Sequence, residues 1–295
     1  MENRPLIPLL FVSFRALFSN ASLFIPYIIS MAVGIGVIAL PLFRTLMSLE
    51  NNPSIALSPS LIAMFALFIL LSFIFSIIIY GWIFAAIQPV VLGKKLDVFS
   101  EFKAGLSMSW TIFLQTLLAI LAIALAAIIG VGAAMGIGAI FKLSFGLGMA
   151  LAVIAGALLL GCGFLFFGFA MHVGAVLIVD RAGALDSIRK GFSYMKSKRN
   201  IALKMALIAI LLVMLSYFPA IAWGLFHDEA DAAALASSDL VKYSLFAMLT
   251  EIPAIVVMTA LLIFYSLEYK GSTAGKGIAG TATEASAKRR KSREK

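Results

Sequence analysis

Few ionisable side chains fall within or beside the long apolar runs of this chain, and any chemistry would have to start from them. His172 lies about two turns before Asp180 in an otherwise uncharged run, Glu251 precedes Ile252 and Pro253, and Asp180-Arg181 closes an apolar stretch. Titratable groups at membrane depth are costly, and they mark proton paths, cation sites or structural pairs. His172 could relay a proton, although a hydrogen bond to a neighbouring segment is the plainer reading. Glu251 could hold a cation or a head-group amine. The plainer reading there is a carboxylate snorkelling to the interface, paired with Lys242. Asp180-Arg181 reads as a local ion pair or cap, and Gln88-Pro89 could open a kink.

The residue sets of enzymes are missing. The sequence contains no G-x-x-x-x-G-K-[ST], H-E-x-x-H, C-x-x-C or G-x-S-x-G. His172 and His227 lie far apart without further ligands at metal spacing, and the single Cys162 cannot form an internal disulfide. No catalytic residue, cofactor or metal is expected.

The elements that would position these groups follow from composition and repetition. Of 295 residues, 62% are hydrophobic and only 13% charged, and the mean hydropathy is +1.07. A soluble fold could not hide that much apolar surface, so the expected solvent is lipid. One pattern occurs three times: F-V-S-F-R-A-L-F-S from Phe11, F-S-E-F-K-A-G-L-S from Phe99 and L-D-S-I-R-K-G-F-S from Leu185. Its bases are Arg15, Lys103 and Arg189, 88 and 86 residues apart. Each copy precedes enough apolar sequence for two crossings at about 20 residues each.

The expected fold is therefore all-α and polytopic, with six transmembrane helices in three hairpins, each preceded by an amphipathic interfacial helix. Residues 1–270 form one transmembrane domain with repeats at about 7–92, 97–179 and 184–267, and 271–295 form a disordered basic tail. The spacing predicts apolar stripes Ile7-Phe11-Phe14-Phe18, Val98-Phe102-Leu106-Trp110 and Leu185-Ile188-Phe192-Met195. Asn20 and Ser22 are expected to cap the first crossing, and Asp97 the second surface helix. The third and fourth spans should turn near Ile140 to Phe145. Gly132 and Gly136, a small-xxx-small pair, should let helices approach closely.

Arg15, Lys103, Arg189 and Lys190 are the candidate lipid-facing bases, and His172 and Glu251 the candidate intramembrane polar groups. If the surface helices are cytoplasmic, 20 of the 23 Lys and Arg fall on that side, leaving Arg44, Lys142 and Lys242 outside. This asymmetry predicts a cell-membrane protein with both termini cytoplasmic. Basic faces beside apolar stripes suit anionic membrane lipids. The tail stretch Lys288-Arg289-Arg290-Lys291 has the look of a nucleic-acid patch, but in a polytopic chain it reads as a topology or lipid signal, and no nucleic acid is expected.

The segment V-G-A-V-L-I-V-D-R-A-G-A-L-D-S-I-R-K-G-F-S-Y-M-K (Val173 to Lys196) resembles a prokaryotic family of six-span membrane proteins of uncharacterised function. That family looks related to the membrane domain preceding some glycerophosphodiester phosphodiesterases. The resemblance rests on Asp180-Arg181, Ala184, Ser187-Ile188 and Lys190-Gly191-Phe192. It implies a six-span fold and no catalytic residue, and the phosphodiesterase barrel is absent from this sequence. The leading functional expectation is a non-catalytic membrane protein that organises or passes a lipid or another amphiphile. A small-solute transporter is the alternative, and a membrane-embedded hydrolase, lacking a nucleophile–base set, comes third.

Overall fold

The computed structural model describes residues 5–34, 59–226 and 251–273. Every regular element among them is helical: α1 (Leu6–Phe18), a 3₁₀ turn (Ala21–Phe24), α2 (Ile25–Val33), α3 (Pro59–Leu92), α4 (Val98–Leu143), α5 (Phe145–Asp180), α6 (Ala184–Ser197), α7 (Arg199–Phe226) and α8 (Glu251–Thr273). Five of these are long and apolar enough to cross a membrane, or six if the pair 6–18 and 21–33, bent by 81°, is taken as one span. By length and composition the chain is a polytopic membrane protein.

The ends of these helices follow from local chemistry. Gly93 takes the left-handed conformation (φ 72°) that stops α3, and Lys94 N–H returns to Pro89 O at 2.8 Å. The Lys270 ammonium donates to Val91 O at 2.9 Å, placing a positive charge on the carbonyl end of α3. Asp97 caps α4 as expected, its carboxylate accepting from Phe99 N–H. Ser144 is extended and makes the turn between α4 and α5, inside the expected window. Asn20 departs from expectation. Its amide donates back to Ala16 O at 2.7 Å, so it closes α1 and does not cap the next helix.

α8 is the most enclosed of the apolar helices. Ala260, Leu261, Ile263, Phe264 and Tyr265 are buried in a core shared with Leu17 and Leu23, Ile83 and Ile87 of α3, Val176 and Ile178 of α5, and Met205 and Ala209 of α7. The Tyr27 hydroxyl lies 2.7 Å from Thr259 Oγ1, which itself donates to Ile255 O, so α2 is tied to α8.

The tightest crossing joins α3 to α4. A Cβ on Gly81 would stand 2.5 Å from Gly105 O, and one on Gly105 2.6 Å from Trp82 Cα and N. Trp82 then packs edge-on against Phe102, centroids 5.0 Å apart. Two further backbone approaches bring Gly191 onto Val173 and Gly168 onto Ala206. Gly132 and Gly136, the pair expected to pack, have nothing within 4 Å of the Cβ position. A small-xxx-small spacing creates a groove but does not select a partner, and no described element reaches this one. Gly132→Ala and Gly136→Ala are accordingly expected to leave the thermal midpoint in detergent unchanged; a clear loss would show that these glycines carry packing.

The three predicted surface segments share one pattern of burial. α1, the start of α4 and α6 each bury a mixed face of small, polar and larger residues and leave apolar side chains outside. Ser13 and Leu17 are buried, as are Gly105 and Met108, and Ser187, Gly191 and Tyr194. The first apolar residues of the three copies, Phe11, Phe99 and Leu185, are 70%, 79% and 73% exposed. The eighth, Phe18, Leu106 and Phe192, are exposed too, while the seventh, Leu17, Gly105 and Gly191, are buried. Of the expected apolar stripes, the position of Phe14, Phe102 and Ile188 is half-buried in every copy. The second segment is also no separate helix. It runs unbroken into the following apolar stretch as the 46 residues of α4, about 69 Å at 1.5 Å per residue.

Candidate functional site

Two features stand out: an apolar cleft, and a polar cluster at the α6 end of the bundle. The cleft lies between α3, α4 and α5, with a volume of about 460 Å³. Its walls include Tyr80 and Phe84 from α3, Ile112 and Ala119 from α4, and Phe169 and Val173 from α5, and Ile188 of α6 reaches it from above. Gln115 brings an amide to this lining and Thr116 and Tyr80 hydroxyls, and Gln115 Nε2 is a buried atom with no hydrogen-bond partner. Leu118 and Ala122 at the rim are exposed. A cavity of this size, apolar with a few fixed polar groups, matches the general form of a site for an amphiphilic small molecule.

The polar cluster is built where α5 ends, α6 crosses and α8 passes between them. Asp180, the last residue of α5, accepts from Lys190 Nζ at 2.7 Å and from the Tyr269 hydroxyl at 3.0 Å, both on Oδ2. One oxygen therefore joins three helices. This bond holds the Lys190 ammonium above its ordinary pKa, the hydrogen bond it donates to Asp180 being the main cause and burial the opposing one. A raised lysine value stabilises the fold fully below its unfolded value, and the gain fades as pH rises through the folded one. The tie is intact at neutral pH and weakens only in strong alkali.

Arg181 follows in a left-handed conformation (φ 49°), an uncommon state for a side-chain-bearing residue. Its Nε donates to Gln88 Oε1 at 2.6 Å, and its outer nitrogen lies 4.0 Å from Glu101 Oε2. Gln88 in turn donates to Val179 O at 3.4 Å. The Asp180-Arg181 pair was expected to form a local ion pair or cap. Arg181 is the C-cap of α5, its N–H returning to Leu177 O at 3.0 Å, but the side chains reach outward, Asp180 to α6 and α8, Arg181 to α3 and α4.

Deeper in the same region, Glu268 is 4% exposed. Its Oε1 accepts from the Tyr194 hydroxyl at 3.2 Å and from Ser272 Oγ at 2.9 Å. Burial pushes the Tyr194 phenol well above its usual range, so it keeps the proton it donates. His172, 2% exposed, has Nδ1 2.7 Å from Gly168 O, and its ring lies 5.0 Å from that of Tyr194 and 4.7 Å from that of Tyr265. Because a carbonyl can only accept, the hydrogen of the neutral ring sits on Nδ1. His172 Nε2, the Tyr265 hydroxyl and Glu268 Oε2 are all buried without partners.

The candidate residues divide accordingly. His172 and Lys190 enter the cluster. Arg15, Lys103 and Arg189 are exposed, one at the same place in each copy of the pattern. Glu251 is exposed at the opposite end of α8, 17 residues or about 26 Å of helix from Glu268; Lys242, its expected partner, lies outside the described residues. Glu268 and Ser272 went unnoticed in the sequence because the last span was ended at Leu267, with the tail from 271; Tyr194 and Tyr265 are single tyrosines that nothing within the expected helices ties to a carboxylate. The helix continues to Thr273, aided by the Ser272 hydroxyl on Glu268 and the Thr273 hydroxyl on Tyr269 O. A usable signal was present: Tyr265, Glu268 and Ser272 recur at helical spacing on one face. Among the described residues no group of three His, Cys, Asp or Glu could hold a metal ion. No known protein family, curated protein or solved structure matches the chain.

Proposed function

We propose that the chain is a non-catalytic protein of the cell membrane that holds or passes a lipid or another amphiphile at the cytoplasmic leaflet. The observation that carries this reading is the cleft between α3, α4 and α5. It is apolar along its walls, open at Leu118 and Ala122, and carries an unpartnered amide at Gln115. An acyl chain would fill the apolar part, and a carbonyl or head-group oxygen would satisfy the amide.

The surrounding architecture is read as three copies of one unit, an interfacial helix followed by a transmembrane hairpin. Matching exposure at matching positions of the three copies supports it. Arg15, Lys103 and Arg189, each flanked by outward apolar side chains, then rest at the head-group level of an anionic leaflet, each worth on the order of 1 kcal/mol. The positive-inside rule places that leaflet, and both termini, on the cytoplasmic side. The likeness of Val173 to Lys196 to the six-span family is compatible with this unit and supplies no catalytic group.

The test is to fill the cleft. Ala119→Trp places an indole in its wall, and Leu121→Trp, an exposed position of the same helix outside the lining, is the control. Lipid retained through purification in mild detergent, counted by native mass spectrometry, is expected to fall several-fold in Ala119→Trp and to persist in Leu121→Trp. Equal retention in both, with both proteins monodisperse, would refute the reading. Electrogenic flux in proteoliposomes would favour a small-solute transporter instead, and hydrolysis of a lipid phosphodiester by the pure protein a membrane-embedded hydrolase.

A further inference from the structure

We propose that Glu268 is the seat of a small-monocation site, for a proton or a sodium ion, in the polar cluster between α5, α6 and α8. The inference does not depend on what occupies the cleft. Glu268 is almost wholly buried, and one of its two oxygens has no hydrogen-bond partner. Among the described residues no Lys or Arg forms an ion pair with it; the ion pairs there are Arg181–Glu101 and Lys190–Asp180. A carboxylate enclosed within a membrane bundle needs a positive charge beside it or a proton on it. The hydrogen bonds from Tyr194 and Ser272 both fall on Oε1, which leaves Oε2 as the point where a cation would be received.

The groups around it favour a small singly charged occupant. On α5, His172 offers a free Nε2 lone pair, since Nδ1 carries the hydrogen toward Gly168 O. On α8 itself, Tyr265 offers an unpartnered hydroxyl oxygen. On α6, Tyr194 is committed to Glu268. The remaining charges nearby are already engaged. Asp180 is taken by Lys190 and Tyr269, and Lys270 by Val91 O of α3. α1 and α7 contribute Leu17, Met205 and Ala209 to the shared core, which are apolar. Glu268 Oε2 and His172 Nε2 can only accept, beside the Tyr265 and Ser266 hydroxyls that can also donate, and a proton or a compact alkali cation would satisfy the two acceptors. The cluster sits at the end of α8 that carries the basic α6, so its charge state would be set from the same side as the interfacial bases.

The experiment is labelling of the full-length protein in detergent with dicyclohexylcarbodiimide, a hydrophobic reagent that adds to a protonated carboxyl, followed by peptide mass spectrometry. An adduct is expected at Glu268, increasing several-fold as pH is lowered. If sodium is the physiological occupant, sodium chloride will suppress the adduct at fixed pH where the same concentration of choline chloride does not. If the proton alone is the ligand, both salts will be without effect while the pH dependence remains. Glu268→Gln is expected to abolish the adduct, to keep the Tyr194 bond through its amide oxygen, and to flatten the dependence of the thermal midpoint on pH and sodium. Absence of a Glu268 adduct across the pH range would overturn the proposal, as would an adduct indifferent to both pH and sodium. Should Glu268→Gln fail to fold, labelling of the unaltered protein still decides the matter.

Discussion

Gly105→Leu is expected to leave little folded protein, and even Gly105→Ala should be destabilised by about 3 kcal/mol or more, the upper end of the overpacking range. Overpacking usually strains a flexible side chain that can rotate away. Here the new Cβ would meet Trp82 Cα and N at 2.6 Å and Gly81 C at 2.8 Å, all backbone. Relief therefore requires α3 and α4 to separate along their main contact, pulling Trp82 from Phe102 and opening the corner where Ala85, Met108 and Ile112 are buried together. Gly81→Ala should behave alike, since its Cβ would press on Gly105 O at 2.5 Å and Ser109 Oγ at 2.7 Å. The measurement is the fraction eluting as a monodisperse species, with the thermal midpoint of what survives. A Gly105→Ala protein with an unchanged midpoint would mean that the crossing is looser than the structure has it.

Asp180→Ala carries the second large effect. A single carboxylate oxygen takes both the Lys190 ammonium and the Tyr269 hydroxyl, so its removal cuts the Asp180 tie among α5, α6 and α8 at one stroke and leaves α6 held by the Tyr194–Glu268 bond and the Gly191–Val173 contact. It also leaves the hydroxyl of the buried Tyr269 without an acceptor. Losing that hydrogen bond to a charged group costs about 1.5–3 kcal/mol, and the half-exposed Lys190 pair adds less, about 1 kcal/mol or below. The expected result is faster hydrogen exchange across 184–197 with little change in α3 or α4. Asp180→Asn, which retains an acceptor for Tyr269 but not the charge for Lys190, should fall between. Raising the pH beyond the lysine range should bring the unaltered protein toward the behaviour of Asp180→Asn. Uniform loss of protection in every helix would show that Asp180 supports the whole fold and not the docking of α6.

These two positions show how differently the chain's features can be read. The seventh place of the repeated pattern holds Leu17, Gly105 and Gly191, and nothing in a single sequence says that it faces inward. In space all three are buried, and Gly191 lets α6 settle onto Val173 as Gly105 lets α4 settle onto Trp82. The apolar residues of the same pattern were read as a stripe toward the membrane, and Phe11, Phe99 and Leu185 are exposed, as lipid allows. Burial is then allotted by shape and hydrogen bonding, which explains why serine, glycine and tyrosine occupy the inner face of α6.

Composition and long apolar runs sufficed to specify helices, because in lipid only helices and closed barrels satisfy the backbone, and uninterrupted apolar runs of this length fit helices and not short alternating strands. The limits of α3 and α5 could likewise be read from Gly93 and from Asp180-Arg181, since helix ends depend on a few neighbouring residues. Tertiary structure alone decided which glycines are contacts, that Asn20 closes α1, and that Asp180 and Arg181 bond to other helices. It alone brought Glu268, 74 residues beyond Tyr194 in the chain, to the phenol that donates to it. Hydrogen bonds and close packing act over about 3–4 Å, and linear order records such distances only within a turn or two of one helix.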